Sequence, residues 1–339
     1  MKNLYPTKWL VILLTLLITG TAGAQDIHFS QFAETPLYRN PALAGIVNGD
    51  VRVQMVYRTQ WNSIVNAYKT ASLNAEYKMP VGKGDDFLTA GMLVFYDRAG
   101  TTNLTSTHVM PALNFHKSIS SERNMYLSVG FMGGWVQRRL DRSKMTTNSQ
   151  YDGMGEGENF NSTQYSYLDG SAGISFNSGI SDDPEDNLVL GVAYHHFNRP
   201  QNSFFADAKS TINPKLVFSA DVKFGVTEYS TILIQADHSR QGHYTETIGG
   251  VMYGLKLGPL PDKPDYTIHG GAYLRLNDAV IPTLKLDYHP FSFALSYDVN
   301  ISKLKTSSYG RGGFELSLAY VGFLDRDNSS LNAVRCPRF

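Results

Sequence analysis

The chain has 339 residues, of which 42% are hydrophobic and 18% charged, with 30 basic and 30 acidic side chains and a formal net charge of +0. That balance argues against a nucleic-acid partner, which calls for a basic footprint. The only cysteine is Cys336, which excludes an intrachain disulfide framework and a thiolate metal cluster.

Residues 1–24 read as a secretory signal peptide. Lys2 and Lys8 make a positive start, Trp9 to Ile18 is a short apolar run, and Ala22-Gly23-Ala24 is a small-x-small cleavage site. The run is too short to span a bilayer as a helix, which needs ~20 residues. No cysteine stands at the cleavage point, so a lipoprotein anchor is not expected. Removing Lys2 and Lys8 takes the net charge from +0 to −2.

Residues 25–48 follow, beginning "QDIHFSQFAETPLYRNPALAG". Pro36 and Pro41 interrupt any long helix or strand. Phe29, Phe32 and Tyr38 need cover. The stretch is either a plain lead-in to the first strand or, as preferred here, a plug or periplasmic seal, with Asn40 and Pro41 among its lumen residues.

From there the pattern is β. Tyr (20), Phe (18) and Gly (30) are abundant and long heptad-like stretches are missing. Strands are predicted at 50–59, 67–79, 87–97, 104–118, 123–138, 165–177, 187–198, 213–226, 230–239, 243–257, 265–276, 279–289, 291–301 and 312–324. In "PTLKLDYHP", Leu284, Leu286 and Tyr288 alternate with Thr283, Lys285, Asp287 and His289. Successive side chains of a strand face opposite sides, so each strand has one apolar and one polar face.

A soluble sandwich and a membrane barrel both fit that alternation. Three features favour an all-β transmembrane antiparallel barrel at 49–324. The strands approach the ~9–11 residues that cross a bilayer. Aromatics crowd strand ends, as in "MVYRTQW" and "LVFYDRAG". The strand number is even, which brings both chain ends to one side. The Arg139 to Thr163 stretch is the longest loop and is placed outside the cell. A single domain is expected, with a C-terminal periplasmic tail at 325–339.

The head "QDIHFSQFAETPLYRNPALAG", the following "YRTQW" and the tail "RCPRF" resemble the signature of the PorP/SprF family of type IX secretion outer-membrane proteins. "NPALAG" is also similar to the Asn-Pro-Ala segment near the start of FadL-like barrels. The resemblance spans the whole chain after residue 24. It implies a fourteen-stranded barrel in the cell outer membrane, with a partly occupied lumen and a non-enzymatic role in type IX secretion or gliding; no cofactor is expected. The implied partners are the periplasmic PorK/PorN (GldK/GldN) ring with PorE, or one large secreted adhesin or effector, besides outer-membrane lipid.

The tail residues Arg335, Cys336, Pro337, Arg338 and Phe339 offer two cations, a proline and an aromatic. They form a docking peptide, tuck back into the lumen, or stay disordered. Cys336 is either a partner for a mixed disulfide or a buried unreactive thiol. His195 and His196 are adjacent in a predicted strand and should face opposite sides, which prevents a shared metal. Asp152, Glu156 and Glu158 have calcium ligand types without EF-hand spacing. No catalytic signature is present. The lumen charges Asp221, Lys223, Lys285, Asp287, Asp298 and Glu315 are expected to pair with each other and with the plug. A FadL-type channel for a small hydrophobic solute is the competing function. A hydrophobic lumen pocket would favour the channel, and a lumen filled by the head segment would favour docking.

Overall fold

The computed structural model describes residues 26–60, 68–82, 84–145, 148–153, 162–183, 185–205, 210–302, 306 and 309–324. The signal peptide and the tail at 325–339 lie outside the described residues. Fourteen strands form one closed antiparallel barrel in sequential order. They are β1 (Val51–Gln60), β2 (Tyr68–Pro80), β3 (Phe87–Ala99), β4 (Leu104–Ser120), β5 (Met125–Arg139), β6 (Gln164–Gly179), β7 (Asn187–His195), β8 (Lys215–Thr227), β9 (Ser230–Gln241), β10 (Tyr244–Leu257), β11 (Tyr266–Arg275), β12 (Ala279–Tyr288), β13 (Phe291–Asn300) and β14 (Arg311–Gly322). β1 closes on β14, from Val51 opposite Gly322 to Gln60 opposite Gly313, so no strand edge is left unpaired.

The choice between sandwich and barrel is decided by an inversion of burial. Along β12, Lys285 is 8% exposed and Leu284 is 60% exposed. A protein in water would lose heavily from that arrangement, because burying a charge is costly and exposing leucine forfeits its transfer energy. Against lipid the same alternation is favourable: apolar residues face the acyl chains and polar ones face the lumen. β13 and β14 repeat it, with Phe293, Leu295, Phe314 and Leu316 outside and Ser296, Asp298, Glu315 and Ser317 inside.

The barrel has two rims. The near rim carries the start of β1 and the end of β14; the far rim carries the β5–β6 connection at 140–163. Near-rim turns are short, for example 121–124 and 228–229. In the β5–β6 connection the described residues include turns at Arg142–Lys144 and Asn148–Tyr151. β7 ends earlier than the sequence suggests, at His195, because His196 adopts a positive φ of 56° and turns the chain.

Residues 26–50 run inside the barrel from the far rim to the near rim. Asp26 meets His196 and Gln241, at the far ends of β7 and β9. Asp50 bonds Gly322, Lys78 and Leu324 at the near rim. Only its last residues lie at the near rim.

Three glycines let the wall accept it. A Cβ on Gly130 of β5 would lie 2.5 Å from the Ala42 nitrogen and the Pro41 carbonyl carbon. A Cβ on Gly173 would lie 1.9 Å from Asn40 Oδ1, and one on Gly191 2.9 Å from Asn40 Nδ2. At Gly130 the obstacle is backbone and cannot rotate away. Gly130→Ala is therefore expected to destabilise the barrel by about 1–3 kcal/mol. Gly133→Ala on the same strand, where the nearest atom is 3.5 Å away, should be near neutral. Urea unfolding in detergent compares the two.

Candidate functional site

The lumen is the candidate site, and it is built from the segment outward. Its local shape follows from its prolines. Pro36 and Pro41 each open a short helical turn, Pro36–Arg39 and Pro41–Leu43, at the position where a missing N–H costs nothing. Asn40 caps the second turn, its Oδ1 accepting from the Ala42 N–H at 2.8 Å, while its Nδ2 donates to the Ile174 carbonyl of β6. Tyr38 OH donates to the Ile27 carbonyl at 2.5 Å and folds the segment back on itself.

The sequence-predicted residues of this segment all meet the wall or one another. Phe29 packs edge-on against Tyr38 and against Phe95 of β3, and Tyr38 stacks on Phe95 at 5.4 Å. Phe32 meets Tyr273 of β11 edge-on at 5.4 Å and lies under the Arg39 guanidinium. Asn40 and Pro41 are fully packed against the β5–β7 glycines. The tail residues Arg335 to Phe339 lie outside the described residues.

Charge decides the rest. Every formal charge of the segment between residues 26 and 39 meets an opposite group on the wall. Glu34 pairs with Lys285 of β12 at 2.6 Å and accepts from Gln54 of β1. Arg39 forks onto Asp221 of β8 through Nη1 and Nη2 at 2.6 and 2.8 Å, and its Nε–H is shared between the two carboxylate oxygens of Asp237 of β9 at 2.8 and 2.9 Å. Between them, Ser30 sits in a four-charge node of Arg58, Arg275, Asp298 and Glu315. Its N–H donates to Glu315 at 2.6 Å, its hydroxyl donates to Asp298 at 2.6 Å, and both arginines donate to its oxygen. Arg58 also pairs with Glu315 and, at 3.0 Å, with Asp298. These four side chains are buried and their charges sum to zero.

Toward the near rim the wall bonds the backbone of the segment rather than its side chains. The Ala42 carbonyl accepts from Asn114 and Ser175, and the Ala44 carbonyl accepts from Asn114, each at 2.8 Å. Gly45 N–H donates to Glu76, itself held by Arg52, and Lys78 donates to the Val47 carbonyl. Counting His28 with Glu246 of β10 at 3.2 Å, and Leu37 against Gly91, the segment touches all fourteen strands.

Of the lumen charges read from sequence, Asp221, Lys285, Asp298 and Glu315 bind the segment. Asp287 pairs with His269, and Lys223 meets Glu185 at 3.6 Å. Arg58, Arg275, Asp237 and Arg39 were missed, although each carries the same signal of a charge on the polar face of a strand or amid apolar neighbours. The reading of His195 and His196 needs correction. The turn at His196 brings both rings inward: His195 meets Ser171 and the Arg39 carbonyl, and His196 bridges Asp169 at 2.7 Å and Asp26 at 2.8 Å.

Burial disfavours the His196 cation, but Asp26 and Asp169 outweigh it and push its pKa up to about 10. A raised histidine contributes stability that is full below its ordinary value near 6.5 and lost as pH climbs toward about 10. Protease protection of the first residues of the segment should accordingly fall between pH 6.5 and 10, and the fall should disappear in His196→Gln.

Arg58→Met removes the cation shared by Glu315 and Asp298. Leaving a buried charge uncompensated costs about 3–5 kcal/mol. The variant should unfold at correspondingly lower urea, and Arg58→Met/Glu315→Gln should recover part of the loss. An additive double variant would show that the two side chains are not coupled.

Residues 21–320 match the family described as type IX secretion system membrane protein PorP/SprF. No curated protein matches the chain in sequence. Among solved structures, the toluene transporter TodX of P. putida is 11% identical, covering 85% of this chain and 93% of its own, with a TM-score of 0.49. CdiB from Acinetobacter baumannii is 9% identical over 80% of this chain and 60% of its own, with a TM-score of 0.45. The NalP autotransporter translocator domain from Neisseria meningitidis is 8% identical, covering 80% of this chain and 87% of its own, with a TM-score of 0.39. With a family match over nearly its whole length, a closed fourteen-stranded wall and an apolar exterior, the chain belongs to the PorP/SprF family of type IX secretion membrane proteins and resides in the outer membrane.

Proposed function

We propose that this protein acts as a docking barrel of type IX secretion, closed by its own N-terminal segment, rather than as a solute channel. The observation that carries this is the contact of residues 26–50 with all fourteen strands. Two of the gaps left between segment and wall measure about 30 and 50 Å³. Sites for small molecules run to about 300–1,000 Å³. A gap of this size holds a few waters. Binding, not catalysis, is the mechanism.

In this reading the near rim faces the periplasm, as expected for a barrel whose two ends meet there. The tail from residue 325 leaves from that side, with Arg335, Cys336, Pro337, Arg338 and Phe339 as a docking peptide. The far-rim loops, chiefly 139–163, hold a surface partner. The partner is either the periplasmic ring with its PorE-like protein or one large secreted adhesin or effector.

Purification from native outer membrane in a mild detergent, followed by mass spectrometry, tests this. The expected result is a large secreted protein or periplasmic ring lipoproteins in stoichiometric amount. A lone barrel carrying fatty acid or another apolar solute would overturn docking and promote the channel.

A further inference from the structure

The outer wall carries a feature that neither the lumen nor the docking role uses. On β2, β3 and β5, the side chains of Lys69, Arg98 and Arg139 sit at outward-facing positions, since the adjacent Thr70 and Asp97, and Val136 at the opposite parity to Arg139, face inward. The strand register aligns them. Lys69 is directly opposite Arg98, Arg98 is opposite Thr105 of β4, and Thr105 is opposite Arg139. Three cations therefore share one row across four adjacent strands, a width of about 14 Å at ~4.8 Å per strand.

Like charges directly opposite each other destabilise a sheet, so this row asks for a counter-ion. Among the described residues, none of the ion pairs involves these three side chains. The next acidic residue in sequence, Asp141, lies within electrostatic reach of Arg139 but is bonded to Ser143 and paired with Lys144 at 3.8 Å, and it leaves the facing Lys69 and Arg98 without an ion pair among the described residues.

The surroundings identify the counter-ion. Toward the barrel middle the next outward row contains Tyr57 and Tyr96, and the one after it Met55, Leu73 and Trp135. Acyl-facing residues, interfacial aromatics and then cations is the order in which a bilayer leaflet presents tails, glycerol region and headgroups. The near rim lacks such a row on these strands. Its outward positions are Met79, Leu88, Phe115 and Val129, and Lys117 is bonded to Asp86 at 2.7 Å.

We propose that Lys69, Arg98 and Arg139 form a binding site for the anionic phosphate headgroup of a lipid in the leaflet at the far rim. Arginine can fork two N–H donors onto a phosphate, and lysine adds a point charge beside it. The site would hold the β2–β5 wall at a fixed depth and relieve the Lys69–Arg98 repulsion.

The test is native mass spectrometry of the full chain in detergent micelles containing equal amounts of phosphatidic acid and phosphatidylcholine with identical acyl chains. The wild-type barrel should retain phosphatidic acid over phosphatidylcholine by about ten-fold or more, from roughly additive contributions of the three cations. The preference should vanish in Lys69→Gln/Arg98→Gln/Arg139→Gln, drop in Arg98→Gln alone, and persist in Lys117→Gln. The single variant reads the site if the triple variant does not fold. Equal retention of the two lipids by the wild type, an unchanged preference in the glutamine variants, or displacement of the lipid by millimolar inorganic phosphate would each overturn the proposal, the last by showing a free-anion site.

Discussion

The polar lumen is the constraint from which the rest of this structure follows. Turning apolar side chains toward lipid forces the alternate positions of every strand inward, and here those positions include Arg58, Arg275, Lys285, Asp221, Asp237, Asp298 and Glu315. A wide barrel can leave such groups to water. This one instead places a protein segment among them, so each charge must find a partner of opposite sign or a hydrogen bond. The Ser30 node shows how closely that is met: two arginines and two carboxylates converge on one hydroxyl and two backbone N–H groups. Such a network is a poor source of net stability, because desolvating the ions offsets most of their attraction. Its consequence is register. A slip of the segment by one residue would put Glu34 or Arg39 beside the wrong wall charge.

Shape supplies what charge does not. The lower half of the segment carries few charges, and its position is set by Pro41 and Asn40 pressing on glycines of three consecutive strands. The carbonyls of Ala42 and Ala44, left without partners by the tight turns, are answered by Asn114 and Ser175 from the wall. Upper and lower halves are thus held by different physics: ion pairs between side chains near the far rim, and close packing with hydrogen bonds from the wall to the segment's backbone near the other.

The barrel was legible because its signal is local. Period-two alternation and strand-end aromatics are carried by each strand alone, and all fourteen strands stand within a few residues of where the sequence puts them. The head segment was legible only in part. Its prolines exclude regular structure, and Phe29, Phe32 and Tyr38 demand cover, but its direction through the lumen is a non-local property, fixed by pairs such as Arg39 with Asp221, far apart in the chain. Lumen charges were visible one by one as polar-face residues, whereas their pairing needs the curvature of the closed wall. The His195–His196 reading failed because it assumed the strand continued; the positive φ at His196 is set by the loop that follows and by its bonds to Asp169 and Asp26.

The path of the segment also fixes the order in which it could ever leave. Residue 50 continues covalently into β1 and is clasped by Gly322, Lys78 and Leu324, so the near-rim end cannot withdraw without opening the β1–β14 closure. Among the described residues, the far-rim end is held by the bonds of Asp26 to His196 and Gln241. Along the described residues, displacement from this end meets Asp26 with His196 and Gln241 before the Ser30 node and the Arg39 ion pairs.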